Sequence, residues 1–339
     1  RRMRQLIFAL FLTAVMSQAS AFQPQPQHLP LRHQRIELQR QSRLRAARQP
    51  GVLTKEREAV DLHYIDIPAN GHDSREAVLL LHGLLGSSRN WMTWAKRLSS
   101  ELDTSRRIIV PDLRNHGSST HAESMTYAEM AQDVLRLLES VNEDRIVCVG
   151  HSMGGKVAAA LGLLEPSRVD GLVIVDVAPV PYSTEDGNDW KEIRRIINGL
   201  QALPLHALST RQDADRGLRD EHGIDDDALR AFVLTNLERH EDSWRWRINL
   251  DAIARSLEDL ALFDLEAAWG SESELPPPYE GDTLFVMGSN SRYIQSRHLD
   301  VIQRLFASFT LQTVKEAGHW VHADQPDRMV QVVKAYLDR

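Results

Sequence analysis

Short apolar runs recur along the chain, separated by stretches whose apolar positions fall three and four residues apart. Residues 78–81, 108–110, 146–149, 172–175, 284–287 and 309–314 have strand length. The middle four are apolar throughout, as strands covered on both faces must be. The clearest helical pattern between them spans about residues 127–141. There Tyr127, Met130, Val134, Leu137, Leu138 and Val141 fall on one stripe. Thr126 and Glu129 form a capping box at its start. Strand and helix in alternation predict a doubly wound α/β fold, a mostly parallel sheet with helices on both faces.

The alternation stops between residues 179 and 278. That stretch has no convincing strand; it carries helical patterns near residues 189–200, 225–237 and 248–260 and closes on Pro276-Pro277-Pro278. It is expected to be a helical cap inserted into a core made of residues 52–178 and 279–339.

Composition narrows the classes. Hydrophobic residues make up 42% and charged residues 26%, an ordinary globular balance. A net charge of −7 gives no reason to expect nucleic acid or an anionic membrane as partner. The one cysteine, Cys148, excludes an internal disulfide and sits in an apolar run, where a buried thiol is expected. The first fifty residues differ from the rest. Residues 6–15 are apolar but too few to span a bilayer, and Ala19-Ser20-Ala21 is a small-x-small cleavage site, so residues 1–21 read as a signal peptide. Residues 22–51 read as a transit-peptide-like presequence, rich in arginine and with Glu37 as the one acid up to Pro50. Phe22 directly after the small-residue site resembles the bipartite plastid presequence of algae with secondary plastids. The expected location is organellar, a plastid first, with mitochondrion or secretion as alternatives, and no stable membrane span remains in the mature protein.

The chemistry concentrates in a few loops. The strand at residues 146–149 runs into Gly150-His151-Ser152-Met153-Gly154-Gly155, and a helical pattern follows from Lys156. Strand, tight glycine turn and helix are the context that G-x-S-x-G requires to lift a serine hydroxyl above a sheet, so Ser152 is the candidate nucleophile. A serine needs a base to take its proton. His319, after Gly318 beyond the last strand, is the candidate, and His322 is expected to be a wall or hydrogen-bonding residue. The oxyanion of acyl transfer needs two N–H donors. Met153 follows the nucleophile, and Leu84 lies in the loop His82-Gly83-Leu84-Leu85-Gly86 after another strand. His82 is expected to position that loop. The loop from Val110 to Ser118, with Asp112, Arg114 and Gly117, is expected to be structural.

The third triad member is harder to place. The loop after residues 284–287 holds Asn290 and no carboxylate before Asp300. Asp176, at the end of the strand after the nucleophile's, and Asp251, in the cap, are the two candidates.

Together these motifs resemble two related groups of the α/β-hydrolase superfamily. They are the bacterial ybfF-type esterases and the organellar alpha/beta-hydrolase domain-containing protein 11. The resemblance rests on residues 81–87, 112–117, 150–156, 176–179, 249–251 and 318–324. It implies an α/β-hydrolase fold with an inserted cap, esterase or thioesterase action on a small-molecule acyl substrate, and no metal or organic cofactor. In the bacterial group the acid matches Asp176; in the organellar group an acid matching Asp251 has been favoured, so both stay open. A Ser-His pair on this scaffold also serves lyases, C–C hydrolases and perhydrolases, and non-catalytic acyl-ligand binders share the fold.

Overall fold

The computed structural model describes residues 59–69, 75–182, 189–265 and 277–339. The signal and transit segments expected over residues 1–51 lie outside them. In chain order the core runs β1 (Tyr64–Ile67), β2 (Arg75–Leu81), α1 (Ser88–Glu101), β3 (Arg106–Pro111), α2 (Tyr127–Ser140), β4 (Ile146–His151), α3 (Met153–Leu164) and β5 (Val169–Val175). The inserted region follows with α4 (Asp189–Ala202), α5 (Arg211–Asp220), α6 (Asp227–Val233), β6 (Leu237–His240), β7 (Ser243–Trp246), α7 (Leu250–Arg255) and α8 (Leu257–Leu262). The core then resumes with β8 (Asp282–Gly288), α9 (Leu299–Leu305), β9 (Phe309–Val314), α10 (Val321–Asp324) and α11 (Pro326–Leu337).

The main sheet has the order β1-β3-β2-β4-β5-β8-β9. β1 pairs antiparallel to β3, and every other pairing is parallel. Because successive side chains of a strand point to opposite faces, each apolar run feeds two cores. Leu79, Leu81, Ile109, Cys148, Leu172 and Ile174 face α2, α3 and the cap. Val78, Leu80, Ile108, Val110, Val147, Val149, Val173 and Val175 face α1 and α11. This double burial is why the strands read as unbroken apolar runs. The capping box of α2 forms as its sequence predicts: Thr126 Oγ1 accepts the Glu129 N–H, and Glu129 Oε2 accepts the Thr126 N–H at 2.9 Å.

The inserted region departs from expectation in four places. It contains a strand pair, β6 with β7, where only helices were expected. The hairpin escapes notice because its strands have four residues each and its turn residues are Glu241-Asp242, with Glu241 at φ 52° in place of the usual glycine or asparagine. Cross-strand pairing of Glu238 with Arg245, an ion pair at 2.7 Å, supplies what the turn chemistry does not. The helix expected over residues 225–237 stops at Val233, passes through a 3-10 turn (Leu234–Asn236) and enters β6. The helix expected over residues 248–260 is broken at Ser256 into α7 and α8. α5 was not expected; its short amphipathic stretch starts from a Thr210 cap. The cap is fastened to the core at the end of α8, where Tyr127 Oη donates to Leu260 O (2.7 Å) and Lys156 Nζ donates to Ala261 O (3.2 Å); within the inserted region the Tyr182 N–H donates to Ala261 O (2.9 Å). No helix among the described residues is long and apolar enough to cross a membrane.

Candidate active site

Parallel strands end on one edge of the sheet, and loops from neighbouring ends meet there. Gly150 and His151 of β4 stand beside Ile174 and Val175 of β5, and Val175 stands beside Val286 of β8. Ser152 and Asp176 therefore leave adjacent strand ends. Both adopt left-handed backbone, φ 53° and 52°, a strained choice for residues with side chains that surrounding contacts must hold. The Ser152 N–H is bonded to Val175 O (3.0 Å) and the Asp176 N–H to Val286 O (2.7 Å). The elbow is close-packed: a Cβ on Gly150 would lie 2.2 Å from Gly154 O, and one on Gly154 would lie 2.5 Å from Leu81 O.

His319, on the loop between β9 and α10, reaches both residues. Its Nε2 lies 3.0 Å from Ser152 Oγ and its Nδ1 lies 2.8 Å from Asp176 Oδ2. The carboxylate fixes the tautomer: Nδ1–H donates to Asp176 and Nε2 is left to accept from the serine hydroxyl. Asp176 is fully buried, and each of its carboxylate oxygens accepts a further hydrogen bond. Oδ1 accepts the Gly288 N–H (3.0 Å), and Oδ2 also accepts the Ser291 hydroxyl. Ser291 stands in the loop after β8, which holds no carboxylate before Asp300. A hydroxyl there holds the acid of the neighbouring strand, a role that the lack of an acid hints at but does not identify. Tyr293 stacks on the His319 ring, centroids 3.9 Å apart and planes 21° from parallel.

Asp251 does not join this group. It is exposed on α7, and its Oδ1 accepts from Gln201 Nε2 at 2.9 Å. The helix turns Leu250, Ala252 and Ile253 inward and Asp251 to the surface. Of the two acids the sequence left open, the structure brings only Asp176 to the histidine. His322 forms a wall, stacked on Trp91 at 4.3 Å and 12°. Burial, with the nearby His319 charge second, pushes its pKa down to about 4.

Met153 follows Ser152 directly, and Leu84 belongs to a turn at the elbow. Met153 is the first residue of α3, so its N–H has no acceptor within the helix. Gly83 to Gly86 form a turn closed by the Gly86 N–H to Gly83 O bond (3.0 Å), which leaves the Leu84 N–H outside its own bonding. A Cβ on Gly83 would lie 3.4 Å from Ser152 Cβ, so this turn abuts the elbow. His82 positions it as expected: Nδ1–H donates to Gly83 O and Nε2 accepts the Leu113 N–H, each at 2.8 Å. Burial lowers the His82 pKa, which keeps Nε2 an acceptor. His151, unassigned by sequence, donates through Nε2–H to the His319 carbonyl (2.8 Å) and so fixes the base loop to the nucleophile's strand.

The loop carrying Asp112, Arg114 and Gly117 is structural, as its composition suggests. Asp112 accepts N–H bonds from Ser88 (2.7 Å) and Ser118 (2.8 Å), and Arg114 makes a two-pronged buried pair with Asp133 at 2.6 and 2.7 Å. No cluster of His, Cys, Asp or Glu among the described residues is arranged to hold a metal.

A serine hydroxyl in reach of a tautomer-fixed imidazole, at the N-terminus of a helix and beside a glycine turn, is an arrangement that can serve acyl transfer. Comparison with known proteins agrees with the geometry. Residues 76–326 match the family described as alpha/beta hydrolase fold. The chain is 36% identical over 288 residues to the mouse (Mus musculus) sn-1-specific diacylglycerol lipase ABHD11, covering 83% of this chain and 88% of that one. It is 30% identical over 273 residues to Esterase YbfF of Escherichia coli (strain K12), covering 80% and 96%. Among solved structures, a marine microorganism esterase superposes with a TM-score of 0.73 at 32% identity, over 82% of this chain and 99% of that one. The chain belongs to the alpha/beta hydrolase fold family, in the group of ester hydrolases that includes the YbfF esterases and the ABHD11 lipases.

Proposed function

We propose that the protein is a serine hydrolase that cleaves acyl esters or thioesters through a covalent acyl-enzyme. The observation that carries this reading is the continuous relay Ser152 Oγ–His319–Asp176, at 3.0 and 2.8 Å. In the proposed cycle His319 Nε2 takes the hydroxyl proton as Ser152 Oγ bonds to the acyl carbon. The Leu84 and Met153 N–H groups hold the oxygen that becomes negative. His319, now a cation stabilised by Asp176, returns the proton to the departing alcohol or thiol. Water, deprotonated by the same imidazole, then releases the acid and regenerates Ser152.

The relatives' names supply the substrate class to test. The mouse relative is named for sn-1 diacylglycerol and the bacterial one as an esterase. We infer an acyl ester on a small-molecule alcohol or thiol, with the cap lying between β5 and β8 as the source of selectivity. A fluorophosphonate probe is expected to label the protein at Ser152 and to fail on Ser152→Ala. A panel of esters and thioesters of graded chain length then separates the two leaving-group classes. Labelling that persists in Ser152→Ala overturns the assignment.

A further inference from the structure

Leu85 is a non-glycine residue held in left-handed backbone, φ 61°, at the third position of the turn that carries Leu84. A turn of this kind normally gives that position to glycine or asparagine, and a leucine there is strained and persists only where its surroundings hold it. Here both of its backbone polar groups are taken. The Leu85 N–H donates to His116 Nε2 at 3.1 Å. His116 Nδ1–H is directed to Arg114 O at 2.9 Å, which leaves Nε2 as an acceptor. The Leu85 carbonyl accepts from Asn236 Nδ2 at 2.7 Å.

The two clamps come from different parts of the molecule. His116 belongs to the core loop after β3. Asn236 ends the 3-10 turn of the cap, is buried, and is itself pinned through its carbonyl, which accepts the Arg247 N–H at 2.8 Å. The same cap segment meets the base loop, where Phe232 packs edge-on against Trp320 at 4.3 Å, one residue beyond His319. We infer that Asn236 is a positioning residue for the oxyanion hole: the cap, through this one side-chain amide, holds the Leu85 peptide in the strained turn that aims the Leu84 N–H at the developing oxyanion. The inference rests on the acyl-transfer reading above. It gives the cap a part in transition-state stabilisation as well as in enclosing the substrate. Without the amide, Leu85 can relax out of left-handed space and swing the neighbouring peptide away from its target.

The test compares the wild type with Asn236→Ala and with the double variant Asn236→Ala/Leu85→Gly, each assayed at a temperature where circular dichroism shows it folded. Three readouts are taken: kcat and KM on an activated ester, and the inhibition constant of a trifluoromethyl ketone, whose hemiketal oxyanion mimics the intermediate. In Asn236→Ala kcat is expected to fall between about ten- and a hundredfold with KM within about twofold, because a donor displaced by an ångström loses that much. Trifluoromethyl ketone affinity should fall by the same factor as kcat/KM. Glycine at position 85 removes the strain, so the double variant should recover most of the loss. Should Asn236→Ala fail to fold, Asn236→Ser carries the same three readouts, since its shorter hydroxyl stops short of the Leu85 carbonyl. A raised KM with unchanged kcat, an unchanged affinity for the ketone, or no recovery with glycine overturns the inference. A wild type that neither turns over esters nor is labelled at Ser152 instead overturns the hydrolase reading, before any variant is compared.

Discussion

His319 Nδ1 and Asp176 Oδ2 lie 2.8 Å apart although 143 residues separate them in the chain. The contact joins the loop after β9 to the end of β5, across the end of β8 between them. Its consequence is a tautomer: with the proton held on Nδ1, Nε2 is left to take the serine proton.

Replacing Asp176 by asparagine keeps the shape and removes the charge that fixes that tautomer. Asp176→Asn is expected to lower kcat by roughly a hundredfold or more, by analogy with the acid-to-amide change in serine proteases. Asp251→Asn, which alters only the surface contact with Gln201, should change kcat by less than about threefold. Steady-state kinetics on one activated ester compare the two. The opposite ranking, with both variants folded, would hand the role to Asp251.

The elbow should not tolerate a single methyl group. A Cβ on Gly154 would lie 2.5 Å from Leu81 O and 2.6 Å from His82 O, both backbone atoms. Gly154→Ala is expected to destabilise the protein by about 3 kcal/mol or more, toward the upper end of overpacking costs because backbone must move. Thermal melting measures this; a melting temperature within two or three degrees of the wild type contradicts the packing.

Acid should weaken the fold through its buried histidines. Burial first, and the charge of His82 second, push the His116 pKa down to about 3, whereas an unfolded chain carries histidine near about 6.5. Below about pH 6.5 the unfolded state therefore binds a proton that the native state refuses. The stability present above that pH is lost as pH falls toward about 3, at roughly 1.4 kcal/mol per pH unit for this one residue. His82 and His151 are shifted in the same direction, again chiefly by burial. Calorimetric melts between about pH 8 and pH 4.5 should show a melting temperature that drops on the acid side. The slope should be shallower in His116→Asn. A melting temperature that is flat from about pH 7 to pH 5 would refute the linkage.

Cys148 offers a probe that leaves the site alone. It lies fully buried in β4, and burial pushes its thiol pKa up. Iodoacetamide at neutral pH is expected to leave the native protein unmodified and to react only after denaturant unfolds it. Mass spectrometry reads the adduct. Rapid native-state labelling would mean that β4 opens far more readily than its packing allows.

Much of the core was legible because its signals are local. Residues 146–155 name a strand, a turn and a helix start by composition alone, and the turn has to present Ser152. Gly318-His319, just past the last strand, is legible for the same reason. The cap hairpin was not legible. Leu237–His240 and Ser243–Trp246 have the length of turns, and they pair through Glu238 and Arg245, an interaction visible only once the strands lie side by side. β1 was missed likewise: four residues at a sheet edge, paired antiparallel to β3, carry no long apolar run.

The sequence by itself determined the fold class and named the candidate nucleophile and base, because apolar periodicity and a glycine-flanked elbow act over a few residues and have few alternative solutions. Only the tertiary structure separated the two candidate acids. Asp176 and Asp251 both stay open on the sequence, and the choice rests on which carboxylate the sheet order carries to His319. Strand pairing sets Asp176 beside Ser152, and the amphipathic face of α7 sends Asp251 to solvent. It also decided that the loop after β8 would serve through the Ser291 hydroxyl, and that Asn236 of the cap would grip the turn at Leu85. Such contacts join segments from about a hundred residues apart upward, and a linear pattern does not encode which distant hydrogen-bonding group will arrive to satisfy a buried one.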